Sequence, residues 1–284
     1  MKRIDGYLVI DGCKKVMSDK DKDHYWVYIN ACKYLGIDAC YTDLAILDGK
    51  CGIISKSLRD NSSKLVSGDE LLGEFLVHNF DIIKDMGFVG EIAAKVKEYG
   101  LGDTTRYLSS IYINNLEIIW QALEDRYKGL TNIGEIMEQF VSMYMFTIIF
   151  ADIDKHPGNW YIMECENSVR LAPVFDNGDI LIGYEDGYEP NNVIACFSTN
   201  FSDHEVSQIN SLKTFFEISS YEYFLMFVSM FDKAVMNFDE IINLCEKQIG
   251  REIPKYEKEK IIVSFNKTQE KIQEVIDEYK KRKR

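Results

Sequence analysis

The sequence predicts an α+β fold in which a small mixed amino-terminal lobe precedes a larger, mainly helical one. Short apolar runs bounded by Asp-Gly pairs crowd the first sixty residues, and long segments of helical periodicity take over from Glu70. No repeat, low-complexity tract or long Gly/Ser linker interrupts the chain. Its 284 residues, 46% of them hydrophobic, suffice for one large core or two small lobes. The expected division is residues 1–60, a reduced lobe of short sheet plus one helix, and residues 61–284, the helical lobe, with a hinge around Lys56–Gly68.

Taken in order, Tyr7–Ile10 and Ala45–Leu47 read as strands because Asp5-Gly6, Asp11-Gly12 and Asp48-Gly49 supply the tight turns around them, and Gly52–Ser55 completes a hairpin. Between them Tyr25–Leu35 has helical spacing and stops at Gly36, the residue expected just past a helix end. Glu70–Met86, Glu91–Tyr99, Thr104–Tyr127 and Ile133–Ala151 read as helices. A further helical block runs from about Ser220 to Lys283, broken near Gly250 and Pro254. Tyr25, Trp26 and Tyr28, and the stripe of Met143, Met145, Phe146 and Phe150, read as packing residues.

The bulk properties narrow the function. A net charge of −13 argues against a general nucleic-acid binder, which needs a basic surface, and offers no attraction to anionic membranes. Lys280–Arg284 is basic but reads as a solvated helix terminus. The seven cysteines form no Cys-x-x-Cys pair, so neither a structural zinc nor a disulfide framework is expected, and the odd count fits a reducing compartment. Met1–Gly12 does not read as a secretory signal, and Phe140–Ala151 is too short to cross a bilayer. A soluble cytoplasmic protein is expected. His78 and His204 have no ligand-like companions in sequence.

The chemistry concentrates in Asp152–Asp179. A polar loop, Asp154–Asn159, follows the apolar segment Ile133–Ala151 and precedes the short run Trp160–Met163; a second run, Val169–Phe175, delivers Asp176. A strand, a turn and a strand would bring Asn159 and Asp176 to one end of a hairpin, with Pro157-Gly158 turning the loop. Phosphoryl transfer needs a carboxylate to orient the incoming hydroxyl and oxygen ligands to hold magnesium against the phosphates. Asp154, Asn159 and Asp176 carry those groups. Asp152 either supports Asp154 or ends the helix, and Asp179 reads as turn chemistry within Asp176–Asp179.

Asp154-x-His156-x-x-Asn159 followed by Leu171-Ala-Pro-x-Phe-Asp176-x-Gly178 resembles the catalytic and metal-binding motifs of the HipA-like protein kinases. The hexapeptide alone is weak, since phosphatidylinositol kinases carry a similar one; the ordered pair behind an apolar helix is specific. The resemblance implies a protein-kinase-like two-lobed fold, ATP and Mg²⁺ as cofactors, Asp154 as catalytic base, Asn159 and Asp176 as magnesium ligands, and His156 as a catalytic-loop residue that braces the loop from within. Weaker similarity in Tyr25–Ile37 and Gly49–Leu58 matches the family's regulatory helix and hinge-side hairpin, so the resemblance spans roughly Tyr7–Gly183. It puts Tyr25 where the family has a glutamate and Asp11 near its phosphate-binding lysine, and the chain starts past the family's Gly-rich phosphate loop. Lys14, Lys15 and Lys56 are then the candidates to meet the nucleotide's phosphates. The expected activity is phosphate transfer to Ser or Thr of a protein or peptide partner. A pseudokinase that binds nucleotide or protein, and a lipid or small-molecule kinase, are the alternatives.

Overall fold

The structure, a computed structural model, describes residues 2–4, 7–9, 13–14, 22–47, 50–58, 63–79, 114, 116–130, 132–152, 155–165, 168–175, 180–181 and 208–283. Strands β1 (Lys2–Ile4) and β2 (Tyr7–Val9) form an antiparallel ribbon. Strands β3 (Cys13–Lys14), β4 (Thr42–Leu47) and β5 (Lys50–Lys56) make a sheet of order β3-β5-β4, in which β4 and β5 are the expected hairpin.

Helix α1 (Lys22–Leu35) ends as its sequence requires. Gly36 adopts φ 81°, and the Ile37 N–H reaches back to the Cys32 carbonyl at 2.9 Å, closing the last turn. The helix is buried on all sides from His24 to Cys32 instead of showing one apolar face. Toward the sheet, the Tyr25 hydroxyl sits 3.3 Å from Thr42 Oγ1 and 3.2 Å from Ser55 Oγ. On its other side lie the carboxyl-terminal helices: Asn30 Nδ2 donates to Gln248 Oε1 at 3.0 Å and Arg251 pairs with Asp23 at 2.8 Å.

Strand β6 (Lys64–Ser67) pairs antiparallel with β7 (Tyr161–Cys165), with Leu65 opposite Met163, and β7 pairs with β8 (Ser168–Leu171). Part of the segment expected as a hinge is therefore a strand. Four residues whose partner lies almost a hundred positions away leave no local signature. Helix α2 (Gly68–His78) starts directly from this strand, its first turn capped by Ser67 Oγ, which accepts the Glu70 N–H at 3.1 Å.

The other described helices are α3 (Leu116–Arg126), α4 (Ile133–Ile149), α5 (Gln208–Ile218), α6 (Tyr221–Met236), α7 (Phe238–Ile249) and α8 (Lys255–Arg282). Helix α5 has no counterpart among the expected segments, while the expected Glu91–Tyr99 helix and the first part of Thr104–Tyr127 lie outside the described residues. The carboxyl-terminal block breaks where Gly250 takes φ 73° and Pro254 opens α8, and also at Asn237 between α6 and α7. Helix α4 forms the centre of the core. Phe146 stacks on Phe150, Phe150 approaches Phe265 of α8, and Phe265 stacks on Phe238 at 3.7 Å between centroids. Every expected packing residue, Tyr25, Trp26, Tyr28, Met143, Met145, Phe146 and Phe150, is buried. No described helix is long and apolar enough to cross a membrane.

Candidate active site

The candidate site begins where α4 ends. Ala151 turns the chain with φ 45°, its N–H donates to Ile148 O at 3.3 Å, and the Asp152 N–H donates to Thr147 O at 2.9 Å. This pair of bonds is the Schellman ending of a helix, with alanine in the left-handed position that glycine ordinarily fills. It turns Asp152 inward, where its side chain is fully buried.

Beyond it the loop closes on itself. His156 Nδ1 accepts the Gly158 N–H at 3.0 Å, and the Asn159 N–H donates to His156 O at 2.8 Å, which together set the 3₁₀ turn Pro157–Asn159. In this geometry His156 acts as the cap of the turn. Asn159 is buried and lies at the turn's end, immediately before β7. The turn rests on the start of α2, since Gly68 donates its N–H to Trp160 O at 3.1 Å and a Cβ at Gly68 would lie 2.5 Å from Pro157 O and 2.4 Å from the Trp160 ring. Only glycine permits that approach. Asn114 clamps the loop from another side: its Nδ2 donates to Lys155 O at 2.7 Å, and its Oδ1 accepts from Trp160 Nε1 at 3.2 Å.

The hairpin β7–β8 opens toward this turn. Ala172 N–H donates to Tyr161 O at 2.8 Å, so the chain leaving β8 starts beside Tyr161, two residues past Asn159 in sequence. From there Val174 pairs with the turn after α1, donating to Asp38 O and accepting from Cys40 N, both at 2.9 Å. His24 Nδ1 donates to Ile180 O at 2.7 Å. Val174 and Ile180, which flank Asp176 in sequence, are thus both bonded to α1 or its following turn.

Asp154, Lys15 and Asp176 lie outside the described residues. Lys14 stands in β3 at the register position of Ser55, and Lys56 stands opposite Cys13 at the exposed end of β5. Because Ser55 bonds to Tyr25 of α1 and successive strand residues alternate faces, Lys56 lies on the face away from α1. Tyr25, at the family's glutamate position, is neutral and spends its hydroxyl on the sheet. Among the described residues no three His, Cys, Asp or Glu side chains gather as a metal site. Magnesium takes oxygen ligands, and the carboxamide oxygen of Asn159 at the mouth of the hairpin fits that donor chemistry.

Sequence reasoning missed Lys155. Its side chain is completely buried, with Nζ 3.7 Å from Asp152 Oδ2, 3.4 Å from Phe175 O and 5.6 Å from the centroid of the Tyr28 ring. It stands between two polar neighbours, Asp154 and His156, and nothing local marks it as interior. Around it burial drives the Tyr28 hydroxyl and the Cys32 thiol well above their ordinary pKa values, so both stay protonated.

No protein-family model matches this chain, and no curated protein matches it. Its backbone, by contrast, matches solved structures. The Helicobacter pylori proinflammatory kinase CtkA superposes with a TM-score of 0.60 at 14% identity, over 98% of this chain and 94% of that one. HipA from the Shewanella oneidensis MR-1 toxin–antitoxin system, solved with HipB and its operator DNA, superposes with a TM-score of 0.53 at 11% identity, over 93% of this chain and 60% of HipA. The fold is therefore protein-kinase-like, a mostly helical α+β arrangement with small antiparallel sheets.

Proposed function

We propose that the chain is an ATP- and magnesium-dependent phosphotransferase that acts on a Ser or Thr hydroxyl of a protein or peptide. The observation that carries this reading is the turn Pro157–Asn159, capped by His156, flanked by the buried Asp152 and Lys155 and seated at the open end of the β7–β8 hairpin, in a kinase-like fold. Asp154 orients the acceptor hydroxyl and takes its proton, while Asn159 and Asp176 hold magnesium. Magnesium bound there would offset charge on the nucleotide's phosphates. Of the candidate phosphate contacts Lys14, Lys15 and Lys56, Lys14 is favoured over Lys56, because its register position opposite Ser55 is on the α1 side of the sheet and Lys56 stands on the far face.

A second reading, a pseudokinase that binds nucleotide without turning it over, draws support from Tyr25. A neutral residue engaged with Thr42 and Ser55 cannot hold a lysine by charge. Radiolabelled transfer from ATP with magnesium, to the chain itself, to protein and to lipid acceptors, separates the readings. Asp154→Asn should lower transfer by ~10²-fold or more while keeping nucleotide affinity, and Asn159→Ala or Asp176→Ala should weaken Mg-ATP binding at least ~10-fold in calorimetry. Binding without transfer by the parent selects the pseudokinase; parental affinity in both metal variants removes the metal assignment. Preference for lipid over protein acceptors would redirect the substrate class.

A further inference from the structure

We infer that Lys155 is a positioning residue, whose buried ammonium ties the loop of the candidate site both to α1 and to the chain that delivers Asp176. Its consequence for phosphate transfer rests on the function proposed above, whereas the tie itself does not.

Three elements meet at this one side chain. Asp152, at the end of α4, supplies the opposing charge at 3.7 Å. Phe175, the residue before Asp176, presents its carbonyl oxygen at 3.4 Å. Tyr28, in the middle of α1, covers the ammonium with its ring at 5.6 Å, within the range of a cation–π contact. An ammonium has three donors and no acceptor, which suits it to a carboxylate and a carbonyl at once, and its four-carbon stem lets it reach them from the loop.

Stability alone gives no reason for a lysine here. Both side chains of the pair are shielded from solvent, and a buried ion pair is commonly no more stabilising than an apolar pair of the same volume, because two charges must be stripped of water. What the ion pair adds is direction. Lys155 follows Asp154 and Phe175 precedes Asp176, so the ammonium spans the two chain segments whose spacing the chemistry depends on. Backbone pairing of Val174 with Asp38 and Cys40, and His24 with Ile180, binds the second segment to α1 and its turn as well. A displacement of α1 would withdraw the Tyr28 ring from Lys155 and pull on the Asp176 segment together. The helix is thereby a lever on both halves of the site.

The test uses the full chain. Lys155→Met alone strands a buried carboxylate and should lower the melting temperature. Asp152→Asn combined with Lys155→Met removes both charges and should restore it. In that double variant, amide hydrogen exchange followed by mass spectrometry should be at least ~10-fold faster in peptides spanning residues 155–160 and 171–175, and unchanged in α7 and α8. Phosphate transfer should fall at least ~10-fold in kcat with little change in the KM for ATP, the split expected of lost positioning. A parental melting temperature with parental exchange in both peptides overturns the inference, whatever the transfer assay gives. Faster exchange in a chain whose parent transfers no phosphate upholds the tie and removes only the kinase reading. Should the double variant fail to fold, Tyr28→Leu carries the same test, because it keeps the ion pair and removes the ring: faster loop exchange supports the inference, and parental rates overturn it.

Discussion

Ala151 shows at single-residue scale how the site is made. A left-handed backbone costs an L-residue with a side chain about 1–2 kcal/mol, and this alanine accepts that cost at φ 45° so that Asp152 can turn into the core one residue later. Ala151→Gly should raise stability to urea by about 0.5–1 kcal/mol, the relieved strain less the extra freedom of glycine in the unfolded chain. A loss of stability would mean that the methyl group contributes more to packing than the backbone loses to strain. His156, which the family resemblance assigns to the catalytic loop, accepts the Gly158 N–H at its Nδ1. Lys155 was not readable. Burial of a lysine is decided by what folds over it, here Tyr28 from more than a hundred residues upstream.

At the scale of elements, the small sheet behind the site is joined to its helices by a charged cluster. Glu164 of β7 accepts from Tyr127 Oη at 2.9 Å and from Arg126 Nη2 at 3.1 Å, while Lys64 of β6 lies 3.8 Å away. Arg126 also pairs with Glu74 and Glu70 of α2. The cluster therefore links β6, β7, α2 and the end of α3. Partial burial works against the Glu164 carboxylate, but the hydrogen bonds from Tyr127 and Arg126 outweigh it and hold its pKa below the ordinary 4.5. A depressed folded pKa contributes stability that is fully present above the unfolded value and lost as pH falls through the folded one. Glu164→Gln should accordingly cost about 1–2 kcal/mol at neutral pH. The gap between variant and parent should close as the buffer is taken below about pH 4. Thermal melts across that range provide the check, and a gap independent of pH would show that the carboxylate's charge plays no part.

For the whole molecule, the decisive fact is where α1 lies. A reduced amino-terminal lobe with its own hinge would be expected to melt on its own, yet α1 is buried from His24 to Cys32 between its sheet and helices α6 and α7. Trp26 of α1 and Trp160 beside the site are 0% and 2% exposed within one continuous core. Urea unfolding followed by tryptophan fluorescence should therefore coincide with unfolding followed by far-ultraviolet circular dichroism, in one transition. An earlier fluorescence transition would show that α1 leaves the core before the carboxyl-terminal helices unfold.

The sequence by itself determined the elements whose signals are local: the β4–β5 hairpin around Asp48-Gly49, the stop of α1 at Gly36, the central apolar helix α4, the break at Gly250–Pro254, and the hairpin β7–β8 behind the polar loop. Periodicity, turn chemistry and helix caps act over a few residues, so they can be read without a fold. Only the tertiary structure decided that Lys64–Ser67 pairs with β7, that Gly68 must be bare for Trp160 to rest on it, and that Lys155 lies buried among Asp152, Phe175 and Tyr28. Those arrangements join positions tens to more than a hundred residues apart, and the free energy that selects them comes from burial and from pairing of groups removed from water. None of it exists until the distant segments have met.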